Sequence, residues 1–125
     1  MKRDAIFTDR ELDVMHVLWE RSSGTVGEVQ EQLDDELAYT TVLTVLRTLE
    51  DKGFVEHTSE GRAYRYFPAV DRSTAQRSHL DHLVRKLFSG SPAALVDRVV
   101  DLPGFGPEDA RRVRDVLEKR LNGKP

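Results

Sequence analysis

From Leu12 onward, apolar residues return at three- and four-residue steps, so that Leu12, Val14, Met15, Leu18 and Trp19 share one side of a helix. The segment opens at Thr8-Asp9-Arg10-Glu11, a threonine followed three residues later by glutamate, which is a capping box. Gly24 is expected to end this helix. Thr25-Val26-Gly27-Glu28 is a second capping box and predicts a short helix that buries Val26, Val29 and Leu33. Asp34-Asp35-Glu36 reads as a solvated end. A third helix is predicted from Tyr39 to Lys52, stopped by Gly53 as a C′ residue. At about 100° per residue, Val42, Leu43, Val45, Leu46 and Leu49 take one broad face, while Thr40, Thr41, Thr44, Arg47 and Thr48 fall within about 120° on the other.

After Gly53 the period changes to two. Phe54–Thr58 reads as a strand, Ser59–Arg62 as a turn and Ala63–Phe67 as the returning strand, which Pro68 ends for want of a donor. Three short helices followed by a hairpin with an arginine at its tip is the order of a winged helix-turn-helix. In that fold the second helix supports, the third enters a major groove, and the hairpin reaches the flanking backbone. The threonines of the third helix fit this reading, because β-branched residues are mediocre helix formers on an exposed face. Hydroxyls can meet phosphates, threonine methyls can touch thymine methyls, and an arginine can read guanine with two hydrogen bonds. The plainer alternative is that small hydroxyl residues simply fill a surface.

The remainder is helical. Asp71 or Ser73 can cap a helix whose stripe is Leu80, Leu83, Val84, Leu87 and Phe88. Ser89-Gly90 breaks it, and Ser91-Pro92 starts another with Leu95, Val96, Val99 and Val100. A last helix from Pro107 carries Ala110, Val113, Leu117 and Leu121. Such short, one-sided helices do not make a stable monomeric domain of their own. Two arrangements bury the stripes: packing back on the N-terminal part, or pairing with the same helices of a second chain. The second is the simpler, and it makes Leu80, Leu83, Val84, Leu87, Phe88, Leu95, Val99, Val113 and Leu117 a dimerisation surface. The expected architecture is therefore mainly α with a small β-hairpin: a DNA-binding domain over residues 1–70 and an all-α dimerisation domain over residues 71–125.

Charge and composition adjust this picture. The 125 residues carry 19 Lys plus Arg against 22 Asp plus Glu, a formal charge of -3, with 38% hydrophobic and 33% charged residues. That is core-poor for a small monomer and agrees with apolar surface shared between chains. The acid is uneven: residues 1–70 hold 8 basic and 14 acidic side chains, residues 71–125 hold 11 and 8. The Thr40–Thr48 face itself contains no carboxylate. The absence of cysteine excludes disulfides, thiolate metal sites and cysteine nucleophiles. No apolar run is long enough to span a membrane, and the expected location is cytoplasmic. His16, His57, His79 and His82 are scattered, with no Gly-rich phosphate loop and no nucleophile elbow, so the chain is not expected to be an enzyme or to carry a cofactor. His79, Asp81 and His82 could in principle hold a metal, but such residues are more often a solvated edge, and no metal site is expected.

The residues also resemble a known family. Thr8-x-x-Glu11-x-x-Val14-Met15-x-x-Leu18-Trp19 is similar to the opening signature of the penicillinase-repressor family, the bacterial repressors of β-lactamase and methicillin-resistance genes with their copper-responsive relatives. Tyr39-Thr40-Thr41-Val42-x-Thr44-Val45-Leu46-x-x-Leu49-x-x-Lys52-Gly53 is similar to its recognition helix, Gly61-Arg62 and Tyr66-x-Pro68 to its wing, and Leu87-Phe88-x-Gly90-Ser91 to the joint of its dimerisation region. The resemblance implies a homodimeric repressor on inverted repeats of double-stranded operator DNA. Carried over, Thr40, Thr41, Thr44, Arg47 and Thr48 would be the reading face and Arg62 the wing contact. Tyr39 would contact phosphate or merely pack, and Arg65 would be a phosphate contact or a solvated strand residue; both pairs of readings stay open.

Departures narrow the implication. Phe7 stands where leucine is usual. The copper-responsive branch uses C-terminal cysteines, and this chain has none, so Cu(I) sensing through thiolates is excluded. In the β-lactam branch a membrane-bound sensor protease leads to cleavage of an Asn-Phe bond, and here Arg98-Val99 aligns with it. Two other classes remain alternatives: a winged-helix protein-interaction module, and a small-ligand sensor, for which no polar cluster in residues 71–125 marks a pocket.

Overall fold

A computed structural model describes residues 5–34 and 36–123. Its elements are α1 (Asp9–Arg21), β1 (Gly24–Thr25), α2 (Val26–Gln32), α3 (Tyr39–Asp51), β2 (Val55–Glu60), β3 (Ala63–Pro68), α4 (Arg72–Leu87), α5 (Pro92–Val99) and α6 (Pro107–Leu121). Both capping boxes form. Thr8 Oγ1 accepts the Glu11 N–H and Glu11 Oε1 accepts the Thr8 N–H at 2.8 Å, and Thr25 and Glu28 do the same at α2. Gly53 takes a φ of 84° just beyond α3, the left-handed conformation a glycine permits at little cost.

The chain divides into two compact units, Met1–Leu80 and Asp81–Pro125. In the first, the strands form an antiparallel sheet of order β1-β3-β2, with Gly24 opposite Tyr66 and Val55 opposite Pro68. Val14, Met15 and Leu18 of α1, Val29 of α2, and Val42, Leu46 and Leu49 of α3 are fully buried together with Val55 and Tyr66. These are the apolar stripes that the periodicity predicted.

Four details differ from the sequence reading. Gly24 is not the end of α1: Ser22 terminates it in the left-handed region, and Gly24 lies in β1, where a Cβ would approach Val29 Cγ2 to 3.1 Å. The hairpin ladder runs over 55–60 and 63–68, so Ser59 and Glu60 pair into the sheet and the turn shortens to Gly61-Arg62. Pro68 is the last residue of β3 rather than the stop after it. The first turns of α4 belong to the N-terminal unit, ten residues past the boundary expected at 70. There Ala75 is buried, Ser78 Oγ accepts the Ala5 N–H, and His79 Nε2 accepts the Phe7 N–H while its ring stacks on Phe7.

In the second unit the rest of α4, α5 and α6 form as expected, with Ser91 capping α5 through the Ala94 N–H. No residue of α5 or α6 is buried. Among the expected interface residues, Leu83, Leu87 and Leu117 are exposed, Leu87 by 68% and Leu117 by 51%. Val84, Phe88, Leu95, Val99 and Val113 are half-buried. Leu80, at the end of the first unit, is exposed.

Candidate nucleic-acid interface

Helix α3 is held from three directions. Gln30 Nε2 donates to the Leu37 carbonyl at 2.8 Å and ties down the turn between α2 and α3. Lys52, its C-cap, donates through Nζ to Glu11 Oε2 at 2.7 Å. His57 of β2 meets the Glu50 carboxylate at 2.6 Å and packs on the rings of Tyr64 and Tyr66. Burial first, then the Glu50 charge, pushes the Tyr66 hydroxyl above its ordinary pKa, so it stays neutral beneath this contact.

With Val42, Leu46 and Leu49 buried, the opposite face of α3 is turned outward: Tyr39, Thr40, Thr41, Thr44 and Arg47 are exposed and Thr48 is half-buried. The structure therefore brings together the face expected from sequence. Thr44 Oγ1 donates to the Thr40 carbonyl at 2.9 Å, which commits its proton to the helix and leaves its oxygen lone pairs and methyl for a ligand. Arg47 has no hydrogen-bond or ion-pair partner among the described residues, so its guanidinium donors are uncommitted. Ala38 at the N-cap supplies no side-chain hydrogen bond, so the first turn of α3 keeps its positive dipole end without a cap. At the hairpin tip Gly61 takes a φ of 62° to allow the two-residue turn, and Arg62 beside it is exposed.

Arg65 behaves differently from the other candidates. Its side chain is 21% exposed and is ion-paired with Glu28 and Glu60. Hydrogen bonds from Arg65 hold both carboxyls below the ordinary glutamate pKa. Sequence spacing carried no signal for this cluster, because its members come from α2, β2 and β3. Of the scattered histidines, His79 accepts the Phe7 N–H, and its neighbour Asp81 pairs with Arg85.

A helical trio with an antiparallel hairpin and an exposed, hydroxyl-rich third helix defines a winged-helix protein. Comparison with known proteins places it further. The family model described as Penicillinase repressor matches residues 7–119, and the chain belongs to that family, whose members are transcriptional repressors and not enzymes. It is 28% identical over 126 residues to the penicillinase repressor of Bacillus licheniformis, covering 99% of this chain and 98% of that one. It is 37% identical over 122 residues to the transcriptional regulator BlaI of Mycobacterium tuberculosis, covering 94% and 88%. A solution structure of the DNA-binding domain of the repressor BlaI aligns with a TM-score of 0.52 at 37% identity, covering 59% of this chain and 93% of that one. The Bacillus licheniformis BlaI monomer in complex with the blaP half-operator aligns with a TM-score of 0.50 and the same coverage. A mutant MarR from E. coli, at 16% identity and a TM-score of 0.55, shares the fold alone.

Proposed function

We propose that this protein is a homodimeric transcriptional repressor that binds inverted-repeat operators, with resistance genes such as a β-lactamase as its class of target. The observation that carries the reading is the outward face of α3, which offers hydroxyls and the uncommitted Arg47 and lacks any carboxylate from Thr40 to Thr48. The Bacillus licheniformis BlaI monomer, 37% identical over the 59% of this chain that it covers, is known in complex with a half-operator, which supports the same use of this surface here.

In this mechanism α3 lies in a major groove, Arg47 and the threonines meet base edges and phosphates, and Arg62 meets the backbone beyond the groove. One helix of small side chains discriminates little by itself, so affinity for a site comes from two linked copies. The exposed leucines and valines of α4, α5 and α6 supply the apolar surface for that link. Repression is steric, and it acts in the cytoplasm, where the DNA is. No helix among the described residues is long and apolar enough to cross a membrane. The Arg98-Val99 bond lies in the last turn of α5, where cleavage would require that turn to open.

The test is a binding titration with a duplex selected from a randomised library. Affinity should fall log-linearly with salt, with a slope of about −0.9 per phosphate neutralised. A flat salt response, or no duplex enriched by selection, contradicts the proposal and favours a protein-interaction module.

A further inference from the structure

We infer that Arg65 is a positioning residue that locks the wing against helix α2, and is not itself a DNA contact; this rests on the DNA-binding reading above. A guanidinium has five N–H donors, and all five are spent inside the protein. Nε and Nη2 grip the Glu60 carboxylate at 2.8 and 3.0 Å. Nη1 and Nη2 reach the Glu28 carboxylate at 3.0 and 3.3 Å, and Nη1 also reaches Ser23 Oγ at 3.1 Å. Arg21 Nη2 also reaches the Glu28 carboxylate at 3.4 Å, so two guanidiniums balance two carboxylates and the cluster offers no surplus positive charge to a phosphate. Arg62, three residues earlier, has no such partners among the described residues.

The placement of the partners gives the cluster its use. Glu60 is the last residue of β2 and adjoins the Gly61-Arg62 turn. Glu28 sits in the capping box at the start of α2, the helix that packs on α3. Arg65, in β3 opposite Thr58 on one side and Thr25 on the other, bridges them. The bridge runs from the framework of the reading helix to the base of the wing tip, so Arg62 is held at a set position relative to Arg47. A wing ordered beforehand spares the entropy of ordering it on DNA.

The experiment measures affinity for the selected duplex across salt concentrations for Arg65→Gln, Arg65→Lys, Glu60→Gln, Arg62→Ala and the Arg62→Ala/Arg65→Gln double variant. A bidentate clamp is not replaced by a point charge, so Arg65→Lys should weaken binding as Arg65→Gln does, by about two- to tenfold. Arg65→Gln should cost little further once Arg62 is gone. Glu60→Gln, which breaks the clamp from the other side and does not depend on the fold tolerating a change at Arg65, should also weaken binding although it removes negative charge. The inference is overturned if lysine restores wild-type affinity, if the Arg62 and Arg65 losses are additive, or if Glu60→Gln tightens binding. Those results with Arg62→Ala still weakening leave the DNA-binding reading intact. No salt-dependent binding by the wild type removes both.

Discussion

Replacing Lys52 by methionine keeps the aliphatic stem and deletes only the ammonium that Glu11 uses. Glu11 is 4% exposed; its Oε1 accepts the Thr8 N–H and its Oε2 accepts Lys52 Nζ at 2.7 Å. Burial pushes the Glu11 carboxyl up. The hydrogen bond from Lys52, the Thr8 N–H and the Lys52 charge together outweigh burial and bring it below its ordinary value. A charge-assisted hydrogen bond contributes about 1.5–3 kcal/mol when buried. The Lys52 side chain is 42% exposed, and solvent screening reduces the expected loss to about 1–2 kcal/mol. For a unit of this size that is a fall in melting temperature of about 5–15 °C.

The pH dependence gives the sharper check. A carboxyl depressed in the folded state adds stability above its unfolded pKa, and that stability is lost as pH falls through the folded value. In Lys52→Met burial is opposed by Thr8 alone, so Glu11 is less depressed and the variant has less to lose in acid. The stability gap between wild type and variant should be full at neutral pH and close as the solution is acidified below the ordinary carboxylate range. Trp19, the only tryptophan, lies in the same unit and reports urea unfolding at each pH. A gap that stays constant from neutral to acid pH, or no gap at neutral pH, refutes the assignment of Glu11 and Lys52 as a coupled pair.

Two further outcomes are expected. Arg47→Ala should weaken operator binding by about 1–3 kcal/mol and relax specificity at one base position if the arginine reads a base; unchanged affinity on titration removes that role. Leu87→Asp, at a 68% exposed leucine of α4, should yield a monomer by analytical ultracentrifugation with weakened operator binding, whereas an intact dimer refutes α4 as the interface.

Local signals were the most legible. The two capping boxes set the starts of α1 and α2, and Gly53 marks the end of α3. The threonine face of α3 followed from helical spacing once Val42, Leu46 and Leu49 were assigned to the core. What escaped the reading is tertiary in origin. β1 is two residues long and shows no period; it exists because Gly24 and Thr25 pair with Tyr66 and Arg65. The α4 stripe gives no hint that Ser78 and His79 accept hydrogen bonds from Ala5 and Phe7, since those partners lie more than 70 residues away. The sequence leaves Arg65 open between a phosphate contact and a solvated strand residue, because Glu28 stands 37 residues away.

Hydroxyl-radical footprinting of the selected operator tests the central claim most directly. Two protomers that each place α3 in a major groove should protect two symmetric windows separated by about one helical turn, roughly 34–36 Å, or a multiple of it, with wing protection flanking each. A single window, protection confined to the minor groove, or no protection at concentrations that saturate binding would contradict the account.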